Sequence, residues 1–174
     1  MTDNRVDSTL APVYLLRSYA WKLLKNNYTD VWDEANYGGK TPMVPLAELP
    51  ELSEYSGPHI VYGYALDGTG SLPARKSGSM TFAIYDTNFR RLTKTLNILQ
   101  TAFERQDEAA RHVNAYTSNV PEFLGVTFAY INIGFIEGGT PAESEGGRQS
   151  ALLNIRFEYH ADYDVEPNPN NWTL

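Results

Sequence analysis

Hydrophobic and polar positions change their period along this chain, and each change marks an element. In "STLAPVYLLRSYAWKLLKNN", Val13, Leu16, Ala20 and Leu23 repeat at the three-and-four spacing of one helix face. Ser8 or Thr9 is placed to cap it and Pro12 suits a first turn, so a helix is predicted over 8–26. Tyr14, Leu15, Tyr19 and Trp21 add apolar surface beyond that stripe. Residues 29–58 then show neither helical nor strand period. Pro42, Pro45, Pro50 and Pro58 exclude a regular element of any length there. Trp32, Tyr37, Met43, Val44 and Leu46 give the same stretch apolar side chains, which predicts a long proline-rich arm lying on a surface, its own or a neighbour's.

"PHIVYGYAL" reads as a strand, "DGTGSLPARKSG" as a turn-rich connection over 67–78, and "SMTFAIYD" as a second strand with Met80, Phe82 and Ile84 on one face. Asp86 or Thr87 can cap a second helix whose stripe is Phe89, Leu92, Leu96, Leu99 and Phe103. That helix is predicted over 87–105, ~28 Å at ~1.5 Å per residue, with a weaker continuation through Gln106, Ala110 and Val113. "LGVTFAYINIGFIEGG" is apolar on both faces, which predicts a strand over 124–136 buried on both sides. "EGGTPAESEGGR" reads as an acidic connection. In the last strand Ala151, Leu153, Ile155, Phe157, Tyr159, Ala161, Tyr163 and Val165 alternate with polar residues, a ribbon of ~50 Å at ~3.3 Å per residue. The pattern is α+β: a mostly antiparallel sheet of about four strands (residues 59–166 with the long helix) packed on two helices, in one domain over 1–174 with an irregular tail at 167–174.

The composition narrows the chemistry. The chain has 174 residues, no cysteine and a formal net charge of −7. Thiol catalysis, disulfides and thiolate metal sites are excluded. The acidic balance argues against sequence-specific nucleic-acid binding but not against a surface past which DNA must slide, and composition does not choose between such possibilities. No apolar run reaches the ~18 residues of a membrane span, and the polar opening "MTDNRVDSTLAPVY" is not expected to act as an export signal.

"YGGKT" at 37–41 ends like a phosphate-binding loop, but the position that needs the first glycine holds Glu34, and Pro42 and Pro45 follow where a helix should open. It reads as a loop. His160, Asp162 and Asp164, with Glu158, line one strand face at ~6.6 Å steps, and hard cations accept carboxylate oxygens. A solvated or subunit-facing strand of alternating charge accounts for the same residues and is preferred, so no metal ligand is assigned. His59 and His112 read as surface or cap residues, and no G-x-S-x-G elbow occurs. No catalytic residue and no cofactor is expected. The 12 tyrosines, with Trp21, Trp32 and Trp172 in or beside irregular segments, point to assembly surfaces.

"TPMVPLAELPEL" leading into "GPHIVYGYAL", the helix "TNFRRLTKTLNILQTAFERQ" and the closing "SALLNIRFEYHADYDV" together resemble the tail terminator, or tail completion, proteins of long-tailed bacteriophages, over about residues 8–166. The resemblance implies a structural virion protein at the tail–neck junction, a hexameric ring that caps the tail tube while the genome passes through its lumen. Its implied partners are copies of itself, the tail tube protein, a neck or connector protein, a sheath protein where the tail contracts, and DNA passing without sequence recognition; no membrane is involved. On that reading Trp32, Tyr37, Met43, Val44, Arg156, Glu158 and His160 are expected at subunit contacts or in the lumen. Arg75, Lys76, Glu137, Glu143 and Glu145, at the 67–78 tip and the 137–147 loop, are expected to dock partners. Alternatives are a neck or head-completion adaptor, a small enzyme, a ligand-binding domain, or an assembly scaffold.

Overall fold

A computed structural model describes residues 10–46, 57–72, 75–119, 125–141 and 147–161. Helix α1 spans Ala11–Asn27 with Pro12 in its first turn, and closes where the Tyr28 N–H donates to the Leu24 carbonyl at 2.8 Å. Its buried side chains, including Leu15, Leu16, Tyr19, Ala20 and Leu24, cover more than one stripe, as its surplus of apolar residues predicts. The predicted caps Ser8 and Thr9 lie outside the described residues.

The arm folds back onto its own chain. A 3₁₀ turn at Glu34–Tyr37 is capped by Asp33, whose carboxylate accepts the Ala35 N–H at 3.1 Å. Gly38 and Gly39 take φ of +65° and +83°, so "YGGKT" is a left-handed turn that glycine alone enters without strain. Strand β1, Met43–Pro45, then pairs in parallel with Ile60–Tyr62 of β2. Arg17 of α1 donates to the Met43 carbonyl at 3.1 Å and ties this strand to the helix.

Strands β2 (His59–Leu72) and β3 (Arg75–Asp86) form an antiparallel hairpin. The connection expected at 67–78 is therefore mostly strand: its turn-rich composition is carried by an irregularity after Asp67, and the ladder resumes at Leu72 and Arg75. Strands β4 (Val126–Pro141) and β5 (Gln149–Ala161) complete five strands in the order β1-β2-β3-β5-β4, antiparallel except for β1. The domain is α+β.

Between the hairpins lie α2 (Phe89–Phe103) and α3 (Gln106–Thr117). The cap of α2 is Asn88, not Asp86 or Thr87. Its side-chain carboxamide oxygen accepts the Arg91 N–H at 3.1 Å, while Asp86 takes the Asn88 N–H and grips the Arg91 guanidinium through both oxygens at 2.6 Å. The weak continuation after 105 is a separate helix: Arg105 is extended, and the chain turns so that α3 can cover the first half of β4. Asn114 secures that contact by donating to the Phe128 carbonyl at 2.9 Å and accepting its N–H at 2.8 Å.

All three helices share one core with a single face of the sheet, represented by Met43, Ile60, Tyr62, Met80, Phe82, Ile84, Leu153, Ile155, Phe157, Val126, Phe128 and Ile131. Strand β5 is central and its apolar alternation faces this core. Strand β4 is not buried on both sides as its sequence predicts. It is the sheet edge, exposed from Gly134 to Gly138. Its apolar residues fall on both faces because its register slips beside β5 at three places, with Ala129, Gly134 and Gly139 as the extra residues. Three residues of β4 match two of β5 at each slip, and each bulge bends and twists the edge.

Candidate assembly surface

The sheet face away from the helices is built from the alternate residues of each strand. Cross-strand partners share a face, so its central row reads Gly63, Thr81, Asn154 and Phe135. Asn154, 7% exposed, donates to the Thr81 hydroxyl at 2.9 Å. A Cβ at Gly134 would strike the Asn154 carboxamide, so the bulge glycine is what lets that side chain lie flat. Two rows on, Asp67, Ser77, Glu158 and Tyr130 lie abreast, with the Ser77 hydroxyl donating to Asp67 at 3.2 Å. Arg75 pairs with Glu158 through its guanidinium. Arg156 and His160 are exposed on the same face. The charges there are mixed, and no helix among the described residues covers them.

Of the expected contact residues, Arg156, Glu158 and His160 thus come together on the open face, with Arg75 beside them. Lys76 is one position off and half-buried, and Glu137 is exposed on the β4 edge. Glu143 and Glu145 lie outside the described residues, as do Asp162 and Asp164.

Two arm residues are corrected. Trp32 is wholly buried in the chain's own core, donating its indole N–H to Thr95 at 3.1 Å, and Met43 is buried in the same core. Trp32 packs edge-on against Trp21 of α1 with ring centres 6.3 Å apart and bonds to Thr95 of α2, which is what draws this part of the arm into its own core. Tyr37 stacks on Trp32 with ring centres 6.4 Å apart, and burial pushes its phenol up to about 12, Asp86 adding to that rise and Arg91 opposing it. Val44 is half-buried in β1. Glu34 receives Trp21 at 2.8 Å and an ion pair from Lys25. The Lys25 ammonium, its own backbone and the Trp21 indole hold its carboxyl down at about 2.

His59 is also corrected, from surface to interior. It is buried against Tyr85 with ring centres 5.2 Å apart, its Nδ1 meets the Gly57 carbonyl at 3.3 Å, and burial lowers its pKa. His112 is exposed on the rim of a groove of about 620 Å³ between the three helices. Glu108, which also lines the groove, is engaged by Arg105 at 3.0 Å. Among the described residues no three His, Cys, Asp or Glu gather as a metal cluster, and no helix is long and apolar enough to cross a membrane.

What sequence reasoning missed is the distribution of exposed apolar side chains. Leu46, Tyr64, Phe135 and Ile136 stand at the two sheet edges, and Phe89 on α2. Periodicity places Phe89 in a core stripe and cannot tell an edge strand from a central one. The signal available in the sequence was the five-residue spacing of the small residues Ala129, Gly134 and Gly139. No protein-family model matches the chain, and no curated protein sequence matches it.

Proposed function

We propose that this chain is the ring-forming subunit of a phage tail terminator. On this reading copies close into a hexameric ring that caps the tail tube at its junction with the neck, and the genome passes through the lumen. The observation that carries the reading is the one-sided build of the sheet. Helices cover one face, the other carries Arg156, His160 and the Arg75–Glu158 pair, and exposed apolar side chains stand at both edges of the described sheet. A polar face of mixed charge, with Arg156, His160 and the Arg75–Glu158 pair, suits a wall past which DNA moves without being held. Two unlike edges suit a head-to-tail contact, which closes as a ring when the rotation closes. The reading assigns no catalytic residue and no cofactor; its partners are further copies, the tube protein and a neck protein.

The test is mass photometry of the pure protein, alone and mixed with purified tail tubes, followed by electron microscopy of the same sample. A closed ring, or density at one tube end only, is the expected result. A monomer that leaves tubes uncapped at micromolar concentration would refute the reading.

A further inference from the structure

The two sheet edges match each other in a way that a ring requires. On the β2 edge Leu46, 58% exposed, lies beside Gly63 on the open face, its Cδ2 3.7 Å from where a glycine Cβ would stand. Tyr64, 46% exposed, pairs with core residue Met80 and so lies on the helix face. On the β4 edge Phe135, 46% exposed, pairs with Asn154 and lies on the open face, while Ile136, 40% exposed, pairs with Leu153 and lies on the helix face. Each edge therefore offers one large apolar side chain on each side of the sheet.

On the open face the heights agree as well. Gly63, Thr81, Asn154 and Phe135 form one cross-strand row, so Leu46 and Phe135 sit at the same level on opposite edges. Ile136 lies on the row of Tyr62, two residues from Tyr64 along β2. A rotation about an axis along the strands changes no residue's height. It brings Leu46 of one copy to Phe135 of the next on the open face, while on the helix face Tyr64 and Ile136 stay offset by two residues, ~7 Å along the strands, a diagonal within reach of an aromatic side chain.

We infer that the occupant of each edge is a second copy, joined through this two-sided apolar seam, an inference that rests on the ring reading. Charge agrees with it. Asp67, the exposed acid of the β2 edge, shares a row with Tyr130, so a carboxylate meets a neutral hydroxyl donor and not another acid, in a chain whose copies otherwise repel at net charge −7. Each edge exposes on the order of 200 Å² of apolar side chain, from residues that bury ~150–250 Å² apiece when aromatic, well below the ~800 Å² per partner of a stable pair. Such a seam is weak between two copies. It holds in a ring, where every copy is clasped at both edges. The bulges at Ala129, Gly134 and Gly139 leave at most four regular residues between them, so the seam is made by side chains and not by a continued ladder.

The absence of cysteine makes the test direct. Leu46→Cys and Phe135→Cys chains are mixed, under the conditions in which the wild type assembles alone or on tubes, and treated with a short bismaleimide. Cross-linking is expected between the two variants and not within either one, and the double variant should run as a ladder that ends in a closed species. Phe135→Asp, confirmed as folded by its thermal melt, should lower assembly by about tenfold or more, as burying an unpaired carboxylate demands. Wild-type rings with no Leu46–Phe135 link, or with Phe135–Phe135 links, would overturn the seam and leave the ring reading standing. Wild-type protein that neither closes nor caps tubes would overturn both.

Discussion

Gly78 shows how tightly single residues are specified here. A Cβ on it would sit 2.7 Å from Leu66 and 2.8 Å from the Phe157 ring, which close over the strand from either side. Gly78→Ala is therefore expected to destabilise the protein by ~1–3 kcal/mol, the usual range for overpacking, as read from urea denaturation. Trp32 is the opposite case, a large side chain fully buried with its N–H satisfied. Trp32→Ala should cost ~3–5 kcal/mol on the same assay, with no effect on ring closure beyond that loss, because the indole faces its own core. Glu34 carries a pH dependence whose sign is set by its depressed pKa. Its carboxyl ionises at about 2 in the folded chain against 4.5 normally, so its contribution is complete above pH 4.5 and disappears as pH falls towards 2. Thermal melts of the wild type and Glu34→Gln should thus differ at neutral pH and converge near pH 2. None of these three roles is legible in sequence. Trp32 and Glu34 sit in an aperiodic segment, and what Gly78 avoids comes from β2 and from a strand ~80 residues away.

At the level of elements, periodicity works where one face of an element meets the core. The alternation of β5 and the buried positions Leu92, Leu99 and Phe103 of α2 follow from it directly. It fails in β4, where three slips shift the core-facing positions from Phe128 to Ile131 and from Ile133 to Ile136. A strand whose phase jumps every five residues looks apolar on both faces, and so reads as central when it is an edge. Hydrogen exchange should separate the two strands of this hairpin. The amides of β5 from Leu153 to Phe157, paired on both sides, should be among the slowest in the protein, and those beside Ala129, Gly134 and Gly139 among the fastest of β4. Uniform protection along β4 would contradict the bulged register. Gly134→Val should weaken the same region, since its side chain must displace the Asn154 carboxamide from Thr81.

For the whole molecule, the one-sided helical layer leaves exposed apolar side chains at both edges of the described sheet, and on the ring reading stability and assembly draw on different residues as a result. Core exchanges such as Trp32→Ala should lower the melting temperature. Edge exchanges such as Leu46→Asp should leave it within about 2 °C, as surface changes of under ~0.5 kcal/mol do, while removing rings or tube caps in electron micrographs. A Leu46→Asp chain that melts normally and still forms rings would place the contact elsewhere.

The sequence by itself determined the fold class, the two helical stripes, the hairpin at 59–86, the loop nature of "YGGKT" and the core face of β5. Each of these depends on local period or on the conformational limits of proline and glycine, which act within a few residues. Only the tertiary structure decided that Trp32 and Met43 of the arm are spent on its own core, that the second helical region breaks at Arg105, and that β4 is an edge with Phe135 level with Leu46 on the opposite one. Those depend on which strands become neighbours and how their registers slip, and neighbours are chosen by packing across the whole chain.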